Sequence, residues 1–100
     1  MSQVPRAKVK RILADLVPKF QANRRNDIAL AREALARQDF VAVKAIGHRL
    51  KGSGAGYGFL EVSSHGAQIE LASLSADARL ISQVVDALEH YLDTVQIELI

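Results

Sequence analysis

Towards the end of the chain, Ile81, Val84, Val85, Leu88, Tyr91, Leu92, Val95 and Leu99 recur at intervals of three and four. That spacing puts one apolar stripe on a long helix. Ser75 and Asp77 both stand where an N-cap belongs. At the other end Val9, Ile12, Leu13, Leu16 and Phe20 repeat the helical period, and Pro18 predicts a break near Val17. This first stretch reads as a short additional N-terminal helix. Beyond it, Ile28, Ala31, Ala34 and Leu35 mark a second stripe in an Ala-rich, helix-favouring segment. Asp39 is placed to cap a third helix carrying Val43, Ile46 and Leu50, and a fourth follows Gly58 with Val62, Gly66, Ile69 and Ser73 on one side. Short connections force neighbouring helices to run antiparallel. The predicted fold is therefore all-α, an up-and-down antiparallel four-helix bundle with a short N-terminal helix, forming one domain over residues 1–100.

Composition narrows the function classes. No cysteine occurs, which removes disulfides, zinc-thiolate sites and thiol catalysis. No apolar run approaches the ~20 residues of a membrane span, and no signal-peptide core is present. A cytoplasmic protein without membrane contact is the expectation. The net charge of +2 is mild, and the basic residues Lys8, Lys10, Arg11, Arg24 and Arg25 lack the aromatic interleaving of a nucleic-acid footprint.

The chemistry concentrates between Gly47 and Phe59. On a wheel of about 100° per residue, His48 lies roughly 165° from the mean direction of Val43, Ile46 and Leu50, so its imidazole faces solvent. Lys44, Lys51 and Ala55 fall within about 60° of it, and Gly52 lies one turn on. Gly47, Gly52, Gly54 and Gly56 each cost about 0.5–1 kcal/mol inside a helix. Two readings stay open. Either the helix ends near Leu50 and the glycines form a loop, or they keep the surface bare so that another protein's backbone can approach His48. Glu70 adds a geometric test. If the third and fourth helices turn around Phe59, His48 and Glu70 are each eleven positions from the turn and stand level. A carboxylate there would hold one ring nitrogen and leave the other as nucleophile, although a solvated boundary glutamate fits the spacing equally well. Lys51 could neutralise charge on a transferred phosphoryl group, or be an ordinary surface lysine.

Other chemistries fit poorly. The glycines lack the Gly-Lys-Ser/Thr ending of a phosphate loop. His65 and His90 sit on separate predicted helices without metal-ligand spacing. Ser53, Ser63 and Ser64 have no paired base for a hydrolase triad.

The chain resembles the histidine phosphotransfer (HPt) domains of bacterial two-component phosphorelays. The likeness runs from Leu16-Val17-Pro18-Lys19-Phe20 through Ala34-Leu35 and Asp39, peaks at His48-Arg49-Leu50-Lys51-Gly52, and continues through Gly58, Leu60 and Ile69-Glu70. The approach to the fourth helix also looks like the phosphotransfer domain of chemotaxis histidine kinases. The pattern departs at Ala67, where those domains often carry a second histidine; the nearest here is His65.

The resemblance implies His48 as phosphoacceptor, Lys51 and Glu70 beside it, and a docking rim of Lys44, Ala45, Arg49, Gly52, Ala55 and Gly56. It implies partners that are response-regulator receiver domains or a hybrid sensor histidine kinase. It further implies no nucleotide site, Mg²⁺ supplied by the receiver, and a monomer. Two rivals remain: a detached substrate domain phosphorylated from ATP by a chemotaxis-type kinase, and a purely binding helical adaptor.

Overall fold

The computed structural model describes residues 4–100. Four α-helices carry the fold: α1 (Val17–Ala36), α2 (Phe40–Tyr57), α3 (Leu60–Leu74) and α4 (Ala78–Thr94). Each packs on its neighbours in sequence, and α1 closes the ring against α4. The connections are short, so the helices run up and down around a core that includes Phe20, Leu50, Phe59, Ile69, Ile81 and Leu88. None of the described helices is long and apolar enough to cross a membrane.

Local chemistry sets the helix ends. Asp39 accepts a hydrogen bond from Ala42 N–H and Asp77 one from Leu80 N–H, each at 3.1 Å, so Asp77 and not Ser75 caps α4. The turns before these caps place Gln38 and Ala76 in the left-handed region, with φ of 56° and 52°. Gly58 ends α2 at φ 90°, a conformation glycine adopts without the Cβ penalty.

The two ends of the chain depart from the expected pattern. Arg6–Val9 forms a strand, β1, which pairs in parallel with Gln96–Leu99, β2. In place of a separate N-terminal helix, Arg11–Leu16 is a 3₁₀ run that leads directly into α1. The break foreseen near Val17 is this 3₁₀-to-α boundary. Pro18 lies in the first turn of α1, where its missing N–H costs no helical bond. The apolar period misled here for a clear reason. Val9 belongs to β1 and Leu99 to β2, while Ile12 is 87% exposed and Leu16 points largely to solvent. Alternation over four residues is too short to stand out against a helical period that happens to include the same side chains.

The α2 helix also settles the two readings of its glycines. It runs unbroken to Tyr57, so no loop begins near Leu50. Gly47, Gly54 and Gly66 serve packing within the protein: a Cβ at Gly47 would meet Glu70 N at 2.7 Å, and one at Gly54 would meet Ser63 N at 2.6 Å. A Cβ at Gly66 would overlap Lys51 N and stand 2.7 Å from Gly47 O. The backbones of α2 and α3 are therefore in direct contact. Only Gly52 and Gly56 face open space, so the surface is bare at those two positions alone.

Candidate functional site

Close packing of α2 on α3 has a chemical consequence. With Gly47 and Gly66 at the crossing, Glu70 stands against the helix that carries His48. The His48 imidazole is 74% exposed, and its Nδ1 lies 2.9 Å from Glu70 Oε2. A carboxylate accepts and cannot donate, so the proton of this bond sits on Nδ1. The Nε2 lone pair then points away from Glu70. Partial desolvation pushes the Glu70 carboxyl up, but the His48 hydrogen bond and the nearby Lys51 charge outweigh it and hold the group below its ordinary value. Glu70 is thus an anion at neutral pH. Its other oxygen, Oε1, lies 3.5 Å from Lys51 Nζ. Lys51, Glu70 and His48 form one chain of contacts across the α2–α3 seam.

The remaining rim residues, Lys44, Ala45, Arg49, Gly52, Ala55 and Gly56, are all exposed along α2. Arg49 differs from the others in having a partner. Its Nε and Nη2 donate to Asp27 Oδ1 of α1 at 3.1 and 2.5 Å. Asp27 is only 3% exposed, and Arg24 Nε lies 2.9 Å from its second oxygen at an angle poor for hydrogen bonding. The Arg24 guanidinium also sits 5.0 Å over the Phe20 ring. Arg49 therefore ties α2 to α1 as well as bordering the imidazole.

Three apolar side chains beside the site were missed in the sequence. Val41 lies two turns before His48 on the same face, and Leu74 lies one turn after Glu70, next to the outward Leu71. All three are strongly exposed. Apolar residues at helical spacing from a polar catalytic candidate were the available signal. Together with Gly52 and Gly56 they give the imidazole a flat, partly apolar surround.

The other two histidines take no part. His65 turns towards α4, its ring 6.4 Å from that of Tyr91, and its Nδ1 is buried without a hydrogen bond. Desolvation lowers its pKa, with Glu61 partly opposing, while burial pushes the Tyr91 hydroxyl up to about 12. His65 and His90 line the same groove of about 1110 Å³ with Glu61, Tyr91 and Arg6, although their spacing along the chain does not link them. Among the described residues no three metal-ligating side chains converge. Ser63 donates to Lys51 O at 2.7 Å, and Ser53 only approaches Leu50 O at 3.4 Å; both hydroxyls are turned to the backbone.

A comparison with protein-family models matches residues 15–97 to the family described as Hpt domain. No curated protein and no solved structure matches the chain.

Proposed function

Since the chain belongs to the Hpt domain family, whose members are phosphotransfer modules of phosphorelays, we propose that it carries a phosphoryl group on Nε2 of His48 between receiver domains. The observation that carries this reading is the 2.9 Å contact between Nδ1 and Glu70 on an otherwise exposed ring. It supports a ring whose Nδ1 carries the proton of that bond and whose Nε2 is the one nitrogen left to act as nucleophile.

In the forward step the Nε2 lone pair attacks the phosphorus of a receiver's phospho-aspartate. The P–O bond to the aspartate breaks, and the carboxylate leaves with the bonding pair. The new N–P bond makes the ring cationic, with its proton still on Nδ1, and Glu70 faces that charge at hydrogen-bond distance. Lys51 offsets charge on the equatorial phosphoryl oxygens. Attack by a second receiver's aspartate on the same phosphorus reverses the step and restores neutral His48. The Mg²⁺ and acidic pocket come from the receiver. The flat rim formed by Val41, Ala45, Gly52, Ala55 and Gly56 accepts the receiver's surface without holding the two reacting groups apart.

Incubation with a ³²P-labelled phospho-receiver tests this. Label should move to the protein, be lost in acid and be absent in His48→Gln. Undiminished labelling of His48→Gln would overturn the assignment. Label arriving only from a histidine kinase with ATP, and never from a receiver, would favour the detached kinase-substrate reading.

A further inference from the structure

The terminal sheet is asymmetric in a way the phosphotransfer site does not use. The β1 edge away from β2 is closed, since a Cβ at Gly58 would overlap the Lys8 carbonyl oxygen. Among the described residues β2 has no such cover, and all four of its residues are exposed. Gln96 N–H donates to Pro5 O at 2.9 Å, Ile100 N–H donates to Val9 O at 2.9 Å, and Ile100 O accepts from Arg11 N–H at 3.1 Å. Backbone groups alternate between the two edges of a strand, so Ile97 and Leu99 aim their N–H and C=O groups at the open edge.

The side chains fit the same picture. By register Ile97 pairs with Ala7 and Leu99 with Val9, so the four share one face. Ala7 and Val9 are 1% and 0% exposed, whereas Ile97 and Leu99 are 37% and 38% exposed. The uncovered apolar surface therefore lies on the flank of the open edge. Neither proline nor an inward charge blocks that edge, and these are the usual protections against strand pairing. Glu98 projects from the opposite face. Its side chain is exposed, with Lys8 at its register position on β1.

We propose that the open edge of β2 accepts an extended segment of a partner protein, with an apolar–basic–apolar pattern that places the cation across from Glu98. The backbone groups require an extended chain, and the two apolar residues would cover Ile97 and Leu99. The existing pairing shows the same complementarity, because Ala7-Lys8-Val9 lies along Ile97-Glu98-Leu99. A second copy of this chain fits worse. Antiparallel pairing that uses both Ile97 and Leu99 sets Glu98 against Glu98 of the copy, and like charges directly opposite destabilise a sheet. The family match at residues 15–97 leaves all of β1 and half of β2, Glu98 and Leu99, outside it, so the edge runs beyond the matched segment.

The test is amide hydrogen exchange by NMR on the full chain, with the peptide acetyl-Thr-Val-Lys-Val-Thr-amide and its Glu-for-Lys counterpart. Saturating Lys peptide should slow exchange at Ile97 and Leu99 at least tenfold, with a weaker effect from the Glu peptide. Leu99→Pro removes one outward N–H but none of the bonds to β1, so it should abolish the effect while leaving His48 phosphorylation intact. Glu98→Lys should reverse the peptide preference. No protection by either peptide would overturn the proposal, and so would protection that rises with protein concentration without peptide, which would assign the edge to a second copy.

Discussion

Replacing Gly66 with alanine tests whether glycine spacing builds the site. The added Cβ would overlap Lys51 N and stand 2.7 Å from Gly47 O and 2.8 Å from Leu50 Cβ. Two of these are backbone atoms of α2 and cannot swing aside. Restoring ordinary contact requires α3 to retreat about 1 Å from α2. With two backbone atoms in the way, the loss falls in the upper part of the range for overpacking, about 2–3 kcal/mol. Better helix propensity returns about 0.5–1 kcal/mol, so the net loss is about 1–2 kcal/mol. For a domain this small the midpoint of thermal unfolding should fall by about 5–15 °C.

The same retreat stretches the His48–Glu70 contact from 2.9 Å past the ~3.5 Å at which a hydrogen bond is lost. Urea denaturation measures the first effect. The ¹⁵N shifts of the imidazole measure the second, as a change from one tautomer to a mixture. Gly52→Ala is the matched control, because nothing lies within 4 Å of its added methyl. It should stabilise the protein by about 0.5–1 kcal/mol and leave the tautomer unchanged, whereas Gly52→Leu should keep the fold and block transfer from a receiver. If Gly66→Ala proves more stable than the parent and keeps the Nδ1–H tautomer, the spacing argument is wrong.

Glu70→Gln replaces the anion with an amide that binds either tautomer, and transfer to His48 should slow roughly tenfold, about 1.4 kcal/mol in barrier; an unchanged rate would remove Glu70 from the mechanism. Because the Glu70 carboxyl is held below its ordinary value of 4.5, its folded-state stabilisation is complete above that pH and is lost as pH falls through the lower folded value, so the Nδ1–H to Glu70 hydrogen bond should survive at pH 5 by NMR. His65 has the same sign in a higher pH window. Its folded pKa lies below the ordinary 6.5, the unfolded chain binds more protons in that window, and stability should fall as pH drops below 6.5; His65→Phe should flatten that slope in denaturation curves. Arg49→Ala removes two hydrogen bonds from the buried Asp27 and should cost about 1.5–3 kcal/mol in urea denaturation, with Arg49→Ala/Asp27→Ala recovering part of the loss.

Much of the bundle was legible in the apolar period. Val43, Ile46 and Leu50 on α2, and Ile81 through Leu92 on α4, are buried as their spacing requires. The level placement of His48 and Glu70 followed from counting outward from Phe59, because the α2–α3 turn is centred there. The terminal strands were not legible for two reasons. Each spans four residues, and their pairing partners lie at opposite ends of the chain, where no local pattern links them. The glycines were only half legible. Gly47 and Gly52 look alike in composition, yet one is pressed on α3 and the other faces solvent, a difference that depends on where the next helix packs. The Arg49–Asp27 contact joins α2 to α1 and likewise has no signature within either helix.

The parallel pairing of β1 with β2 also bears on how the chain folds. Arg6 meets Gln96, and closing a loop of that length from an open coil costs about 4 kcal/mol of chain entropy. The α2–α3 hairpin needs only the short turn at Gly58 and Phe59. Contact order therefore places the hairpin early in the folding sequence and the terminal clasp last. The His48 imidazole and the Glu70 carboxylate are brought together by local structure, so a chain whose ends have frayed would still hold the pair in contact.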